Sequence, residues 1–158
     1  MSYAFSRRSQ DRLEGVHPRL VCVCKLAIAR SSVDFGITCG LRSVAQQKEN
    51  VRLGRSKTMK SYHLPQDDGY SHAVDVVVWH GGEPCWELNL YDDVADAFLS
   101  AGVEEGVTLT WGAAWHKPLT EHGGTCESLM LEYIDLRRSQ SRRPYLDGPH
   151  FQLESVED

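Results

Sequence analysis

The chain has 158 residues, 41% of them apolar and 25% charged, which fits one soluble globular domain with its own core and excludes a fibrous or disordered protein. Its net charge of −5 is unevenly spread: residues 1–60 carry 12 Lys and Arg against 4 Asp and Glu, and residues 61–158 carry 5 against 18. The basic part has no run of more than two adjacent cations and few interleaved aromatics, so solvated helix faces are expected there, not nucleic-acid binding.

Ser9 to Glu14 predicts a short helix ended by Gly15. His17-Pro18 opens a longer one, with Pro18 in the first turn and Leu20, Val23, Cys24, Ala27 and Ile28 on one face. Phe35 to Cys39 predicts a strand closed by Gly40, and Ser43 caps a third helix through Val51 with Gly54 as its stop. Residues 54–72 are polar, contain Gly and Pro, and read as loop. Ala73 to Trp79 is a Val-rich strand holding a single Asp, followed by a Gly81-Gly82 turn. Tyr91 to Ala101 predicts an amphipathic helix with Val94, Ala95, Phe98 and Leu99 inward and Gly102 as its cap. Thr108 to Trp111 predicts a strand ended by Gly112, and Cys126 to Arg138 a helix. Arg137 to Arg143 is a basic, Ser-rich connector, and Pro149 to Leu153 a last short strand. This order of elements predicts a single compact α+β domain with a small antiparallel sheet.

The five cysteines (Cys22, Cys24, Cys39, Cys85 and Cys126) are odd in number and lack zinc-ribbon spacing, so they read as reduced, mostly buried thiols. Neither a signal-peptide pattern nor a membrane-length apolar stretch is present, and a chain made and kept in the cytoplasm is expected, with no membrane anchor.

Two separated segments carry candidate chemistry: Ser61-Tyr62-His63 leading to Ala73-Val74-Asp75, and Asp147-Gly148-Pro149-His150-Phe151. Asp75 interrupts an apolar strand, where a carboxylate costs several kcal/mol unless it is paired or metal-bound. His150 opens a strand behind the rigid Pro149, and Asp147 lies three residues earlier across a Gly-Pro turn. Two imidazoles and one carboxylate form a ligand set for Zn²⁺ that leaves a position for water, and a second carboxylate nearby suits a general base.

Further motifs follow in order along nearly the whole chain. They are Gly15-Val16-His17-Pro18-Arg19-Leu20, Val33-Asp34-Phe35, Gly40-Leu41-Arg42-Ser43, Gln47, Ser56-Lys57-Thr58-Met59-Lys60-Ser61-Tyr62-His63 and Trp111-Gly112-Ala113-Ala114-Trp115. With the two segments above, this series resembles the peptidoglycan L-alanyl-D-glutamate endopeptidases of phage lysins, in the zinc D-alanyl-D-alanine carboxypeptidase and dipeptidase superfamily with its Hedgehog-like fold. The resemblance implies one Zn²⁺ held by His63, Asp75 and His150, with Asp147 as catalytic base. It implies Arg42 as the cation that stabilises the oxyanion, and Ser61, Gln47 and Trp115 as substrate contacts. It implies a monomeric lysin acting on peptidoglycan, stored in host cytoplasm and released to the periplasm by a holin-type pore protein. A D-alanyl-D-alanine carboxypeptidase or dipeptidase on the same scaffold, or a zinc-stabilised binding domain without catalysis, are the alternatives.

Three departures from that pattern carry expectations of their own. The His-to-Asp interval is lengthened by Leu64 to Tyr70, and Ser71 replaces a usual Gly, which makes His72 a rival to the favoured His63. Within that loop, Asp67 and Asp68 offer a regulatory Ca²⁺ site, against a plain solvated loop. Ala113-Ala114 stands where the family often has Gly-Asp. Residues 116–146 form an insertion that serves either as a lid or as surface elaboration.

Overall fold

A five-stranded antiparallel sheet organises the fold, and the computed structural model describes residues 2–157. In chain order the elements are α1 (Arg7–Arg12), α2 (Pro18–Arg30), β1 (Asp34–Cys39), α3 (Val44–Arg52), β2 (Ala73–His80), β3 (Glu83–Cys85), α4 (Leu88–Glu105), β4 (Val107–Trp111), α5 (Cys126–Ser139) and β5 (His150–Val156). A single 3₁₀ turn spans Leu119–Glu121. The strand order is β1-β2-β5-β4, so β5, last in the chain, lies inside the sheet. β3 pairs with the far end of β2 as a short hairpin that the Gly81-Gly82 turn permits but that the sequence reading left out.

Helix ends follow their caps. Ser6, not Ser9, caps α1, its hydroxyl accepting from Ser9 N at 3.2 Å, while Ser9 is buried and accepts from Ile37 N at 3.0 Å. Ser43 and Gln46 form a reciprocal capping box on α3. The expected stop of α4 at Gly102 is corrected: the helix runs through it to Gly106, whose φ of +68° gives the left-handed cap. Gly102 is small because a Cβ there would meet Leu109 and Thr120, each at 2.8 Å.

Strand parity separates the core from the site. Val74, Val76 and Val78 of β2, and Phe151 and Leu153 of β5, face α2 and α4 in one apolar cluster. Phe151 stacks on Phe98 of α4 with ring centroids 4.0 Å apart. The alternate residues, Asp75 on β2 and His150 on β5, therefore share the opposite face, and they are direct cross-strand partners. Residues 116–146 are joined to the core rather than laid over it: Leu119, Cys126, Leu129, Met130 and Tyr133 are all buried.

Within α4, Asp92 is buried beside Asp93, Asp96 and Glu127, and burial followed by these like charges pushes its carboxyl up to about 6. A raised carboxyl favours the protonated fold, so this stability is full at acid pH and lost as pH rises through about 6. Asp92→Asn is expected to stabilise the protein at pH 7.5 by about 1 kcal/mol after allowance for solvent screening, with no gain near about pH 4. Thermal unfolding at the two pH values measures the difference.

Candidate metal centre

His63 sits in the loop after α3, anchored at both backbone ends: its N–H donates to Ser61 Oγ at 3.2 Å and its carbonyl accepts from Arg42 N at 2.8 Å. Its ring is buried, and Nδ1 lies 2.8 Å from the carbonyl oxygen of Gly40. A carbonyl only accepts, so Nδ1 carries the proton and, in the neutral ring, Nε2 keeps its lone pair. That Nε2 is 3.1 Å from Asp75 Oδ2, is fully enclosed, and has no hydrogen-bond partner.

His150 mirrors this arrangement. Its Nε2 lies 2.9 Å from Gln152 Oε1 and its Nδ1 3.1 Å from Asp75 Oδ1. Two inner ring nitrogens thus converge on the two oxygens of one carboxylate, and the rings meet edge to face with centroids 5.3 Å apart. A cluster made only of acceptors requires a cation, supplied either by ring protonation or by a metal. Burial by itself would raise Asp75, but its contacts with His150 and His63, which carry charge when protonated, hold it well below the usual carboxylate range. Burial would likewise lower His63, yet Asp75 and Cys39 outweigh it and bring the ring up to about 10. A metal would take the place of those protons, which is how ligation by histidine couples to proton release. The orphaned Nε2 and the outer-nitrogen hydrogen bonds fit such an ion.

Asp147 stands beside this group: one carboxylate oxygen of Asp147, one of Asp75 and a ring nitrogen of His150 all lie within 4.8 Å of one another. Its turn is strapped to the end of β4, with Asp147 N donating to Gly112 O at 2.7 Å and Trp111 Nε1 to Gly148 O at 2.8 Å. Gly112 is required by this approach, because a Cβ there would sit 2.1 Å from Asp147 O. Burial first, then the Asp75 charge, raises the Asp147 carboxyl against the opposing pull of His150 and His63.

Arg42 completes the rim, with Nη2 3.9 Å from Asp75 Oδ2 and Nη1 donating to Gln47 Oε1 at 2.7 Å. Gln47, expected as a substrate contact, is wholly buried, and its amide also donates to Ser56 Oγ and Thr58 O. It braces Arg42 from behind and offers no free polar atom to a ligand. Ser61 caps the loop through its contact with His63 N. Trp115 forms a wall, its ring 5.5 Å from His150 and 6.1 Å from Tyr145. Ala113 and Ala114 are buried.

The structure brings His63 to Asp75 and carries His72 away, to Asp68 Oδ2 at 2.8 Å. His17, Asp68 and His72 form a second group with donor spacing for a metal. There, however, His17 Nδ1 accepts from Arg19 N at 3.0 Å as the cap of α2, so a neutral ring carries its proton on Nε2 and has no second lone pair to give. Nor does this loop gather the oxygen ligands Ca²⁺ needs: Asp68 Oδ1 accepts from Tyr70 N, and Oδ2 faces the imidazoles.

Cys39 is the residue the sequence reading missed. Its Sγ, a His63 ring nitrogen and an Asp75 oxygen lie within 4.8 Å of one another, and Arg42 Nη2 donates to the sulfur at 3.5 Å. The available signal was its position directly before Gly40-Leu41-Arg42-Ser43.

Known proteins resemble this chain in both sequence and fold. A family model described as phage L-alanyl-D-glutamate peptidase matches residues 1–130. The L-alanyl-D-glutamate peptidase of Escherichia phage T5 is 35% identical over 120 residues, covering 73% of this chain and 84% of that protein. The crystal structure of the Serratia marcescens L-Ala D-Glu endopeptidase ChiX superposes with a TM-score of 0.71 at 37% identity, covering 97% of this chain and 91% of the other. Sequence and fold thus converge, and the chain belongs to the phage L-alanyl-D-glutamate peptidase family.

Proposed function

We propose that this protein is a zinc-dependent endopeptidase that hydrolyses the L-alanyl-D-glutamate bond of the peptidoglycan stem peptide, and that it serves as a phage lysin. The observation that carries the zinc reading is the convergence of His63 Nε2 and His150 Nδ1 on the two oxygens of Asp75, with one of those nitrogens buried and unpartnered. His63, Asp75 and His150 would hold the ion. When bound, zinc supplies Lewis acidity that polarises a carbonyl and makes water acidic near neutral pH.

The chain's own residues do the rest. Asp147 takes the proton of the attacking water and returns it to the leaving amine. Arg42, held rigid by Gln47, stabilises the charge that grows on the carbonyl oxygen. Trp115 and Tyr145 offer an aromatic wall for the stem peptide, and Ser61 lines the approach. In this reading all of 1–158 is one peptidase domain, and 116–146 is a fixed side wall of the cleft. The protein collects as a monomer in the host cytoplasm and reaches the wall when a holin-type protein opens the membrane.

Chelator treatment is expected to abolish cleavage of defined peptidoglycan, and Zn²⁺ to restore it. Mass analysis should then find fragments with a new N-terminal D-glutamate. Released D-alanine would identify a carboxypeptidase instead, and unchanged peptidoglycan would leave only a binding domain.

A further inference from the structure

Along β5 the residues that share the site face are His150, Gln152 and Glu154, and they are linked side chain to side chain. Glu154 Oε1 lies 2.6 Å from the Gln152 amide nitrogen, and its Oε2 accepts from Tyr62 Oη at 3.0 Å. A carboxylate oxygen cannot donate, so the amide nitrogen of Gln152 must face Glu154 and the amide oxygen must face His150. An oxygen 2.9 Å from His150 Nε2 then requires the proton on that nitrogen, so Nδ1, the atom facing Asp75, donates to the carboxylate while the ring is charged and offers its lone pair once an ion takes that proton's place. His63 receives the same instruction from a main-chain carbonyl, Gly40 O, which no side-chain change can remove. His150 depends on side chains alone.

We propose that Gln152 and Glu154 are positioning residues that fix the His150 tautomer, with Tyr62 steering Glu154. This rests on the zinc reading above. Neither residue would touch substrate or ion; their effect passes through the ring of His150. A wrong tautomer would turn an N–H towards the ion and remove one of three ligands, as lost outer-shell partners commonly cost 10–100-fold in affinity.

The test compares Gln152→Met, which keeps the length but loses the acceptor, with the double swap Gln152→Glu and Glu154→Gln. The swap presents a carboxylate oxygen to His150 and an amide nitrogen behind it, so the acceptor is retained. Long-range ¹⁵N NMR on metal-free protein, at a pH where the ring is neutral, should show His150 as the Nε2–H tautomer in the native chain and the swap, and as a mixture in Gln152→Met. Competition with a chromophoric chelator should show zinc affinity reduced roughly 10–100-fold in Gln152→Met and within a few-fold of native in the swap. A Gln152→Met protein with the native tautomer and native affinity would overturn the proposal. Failure of the native chain to bind zinc would instead sink the metal reading, while the NMR result still decides the tautomer.

Discussion

Asp147→Ala is expected to reduce peptidoglycan cleavage by roughly 10²–10⁴-fold while the protein keeps its full complement of zinc. Asp147 is close enough to Asp75 and His150 to act on whatever lies between them, yet the proposed ligand set of two imidazoles and Asp75 is complete without it. Its backbone, not its carboxylate, makes the strap to Gly112, and the turn should survive loss of the side chain. The isosteric Asp147→Asn should behave alike, because an amide keeps the shape but accepts no proton. Fragment release together with metal analysis on the same preparation gives the answer. Lytic activity near native in either variant would remove Asp147 from the chemistry.

Asp75→Ala has a different expected signature: activity at background and no retained zinc. The metal-free fold should also weaken, because the two rings converge on this carboxylate and His63 is almost wholly buried. Removing one partner of a buried pair leaves the other uncompensated, at a cost of about 3 kcal/mol. The sign with pH follows from both partners. Asp75 is depressed, so its contribution is present above the ordinary carboxylate range and lost on acidification. His63 is raised to about 10, so its contribution is complete below the ordinary histidine value and lost as pH rises through about 10. The gap in melting temperature between native and Asp75→Ala chains, both metal-free, should therefore be widest between about pH 4 and about pH 6.5. A gap that is flat with pH would mean the pair is not what stabilises this face.

Asp75 was legible because a carboxylate in a run of valines needs a reason, and period-two alternation then placed it away from the core. Asp147 and His150 were legible as neighbours because Gly148 and Pro149 make the turn between them, but their roles came only from the family resemblance. Cys39 was not. Alternation from Phe35 and Ile37 would send it to the core, but a β-bulge between Ile37 and Cys39 resets the parity and pairs Cys39 with Asp75. Both His63 and His72 lie near a polar loop; the Ser61-Tyr62-His63 context favoured His63, and the bonds that tie it to Ser61, Arg42 and Gly40 set its ring beside Asp75. Gln47 was expected in the cleft on the family resemblance alone. Its burial is tolerable because Arg42, Ser56 and Thr58 satisfy its whole amide. Gly102 read as a stop because glycine most often ends helices, whereas here it lets β4 and the 3₁₀ turn come close.

The position of β5 between β2 and β4 bears on how the protein is made. Translation delivers residue 150 after every other element of the sheet, so a ribosome-bound chain holds His63 and Asp75 long before their partner exists. The sheet closes only when the last strand enters its middle, joining residues 75 positions apart in sequence. On the proposed ligand set, a chain that stops short of His150 lacks one of the three metal ligands and should cleave no peptidoglycan.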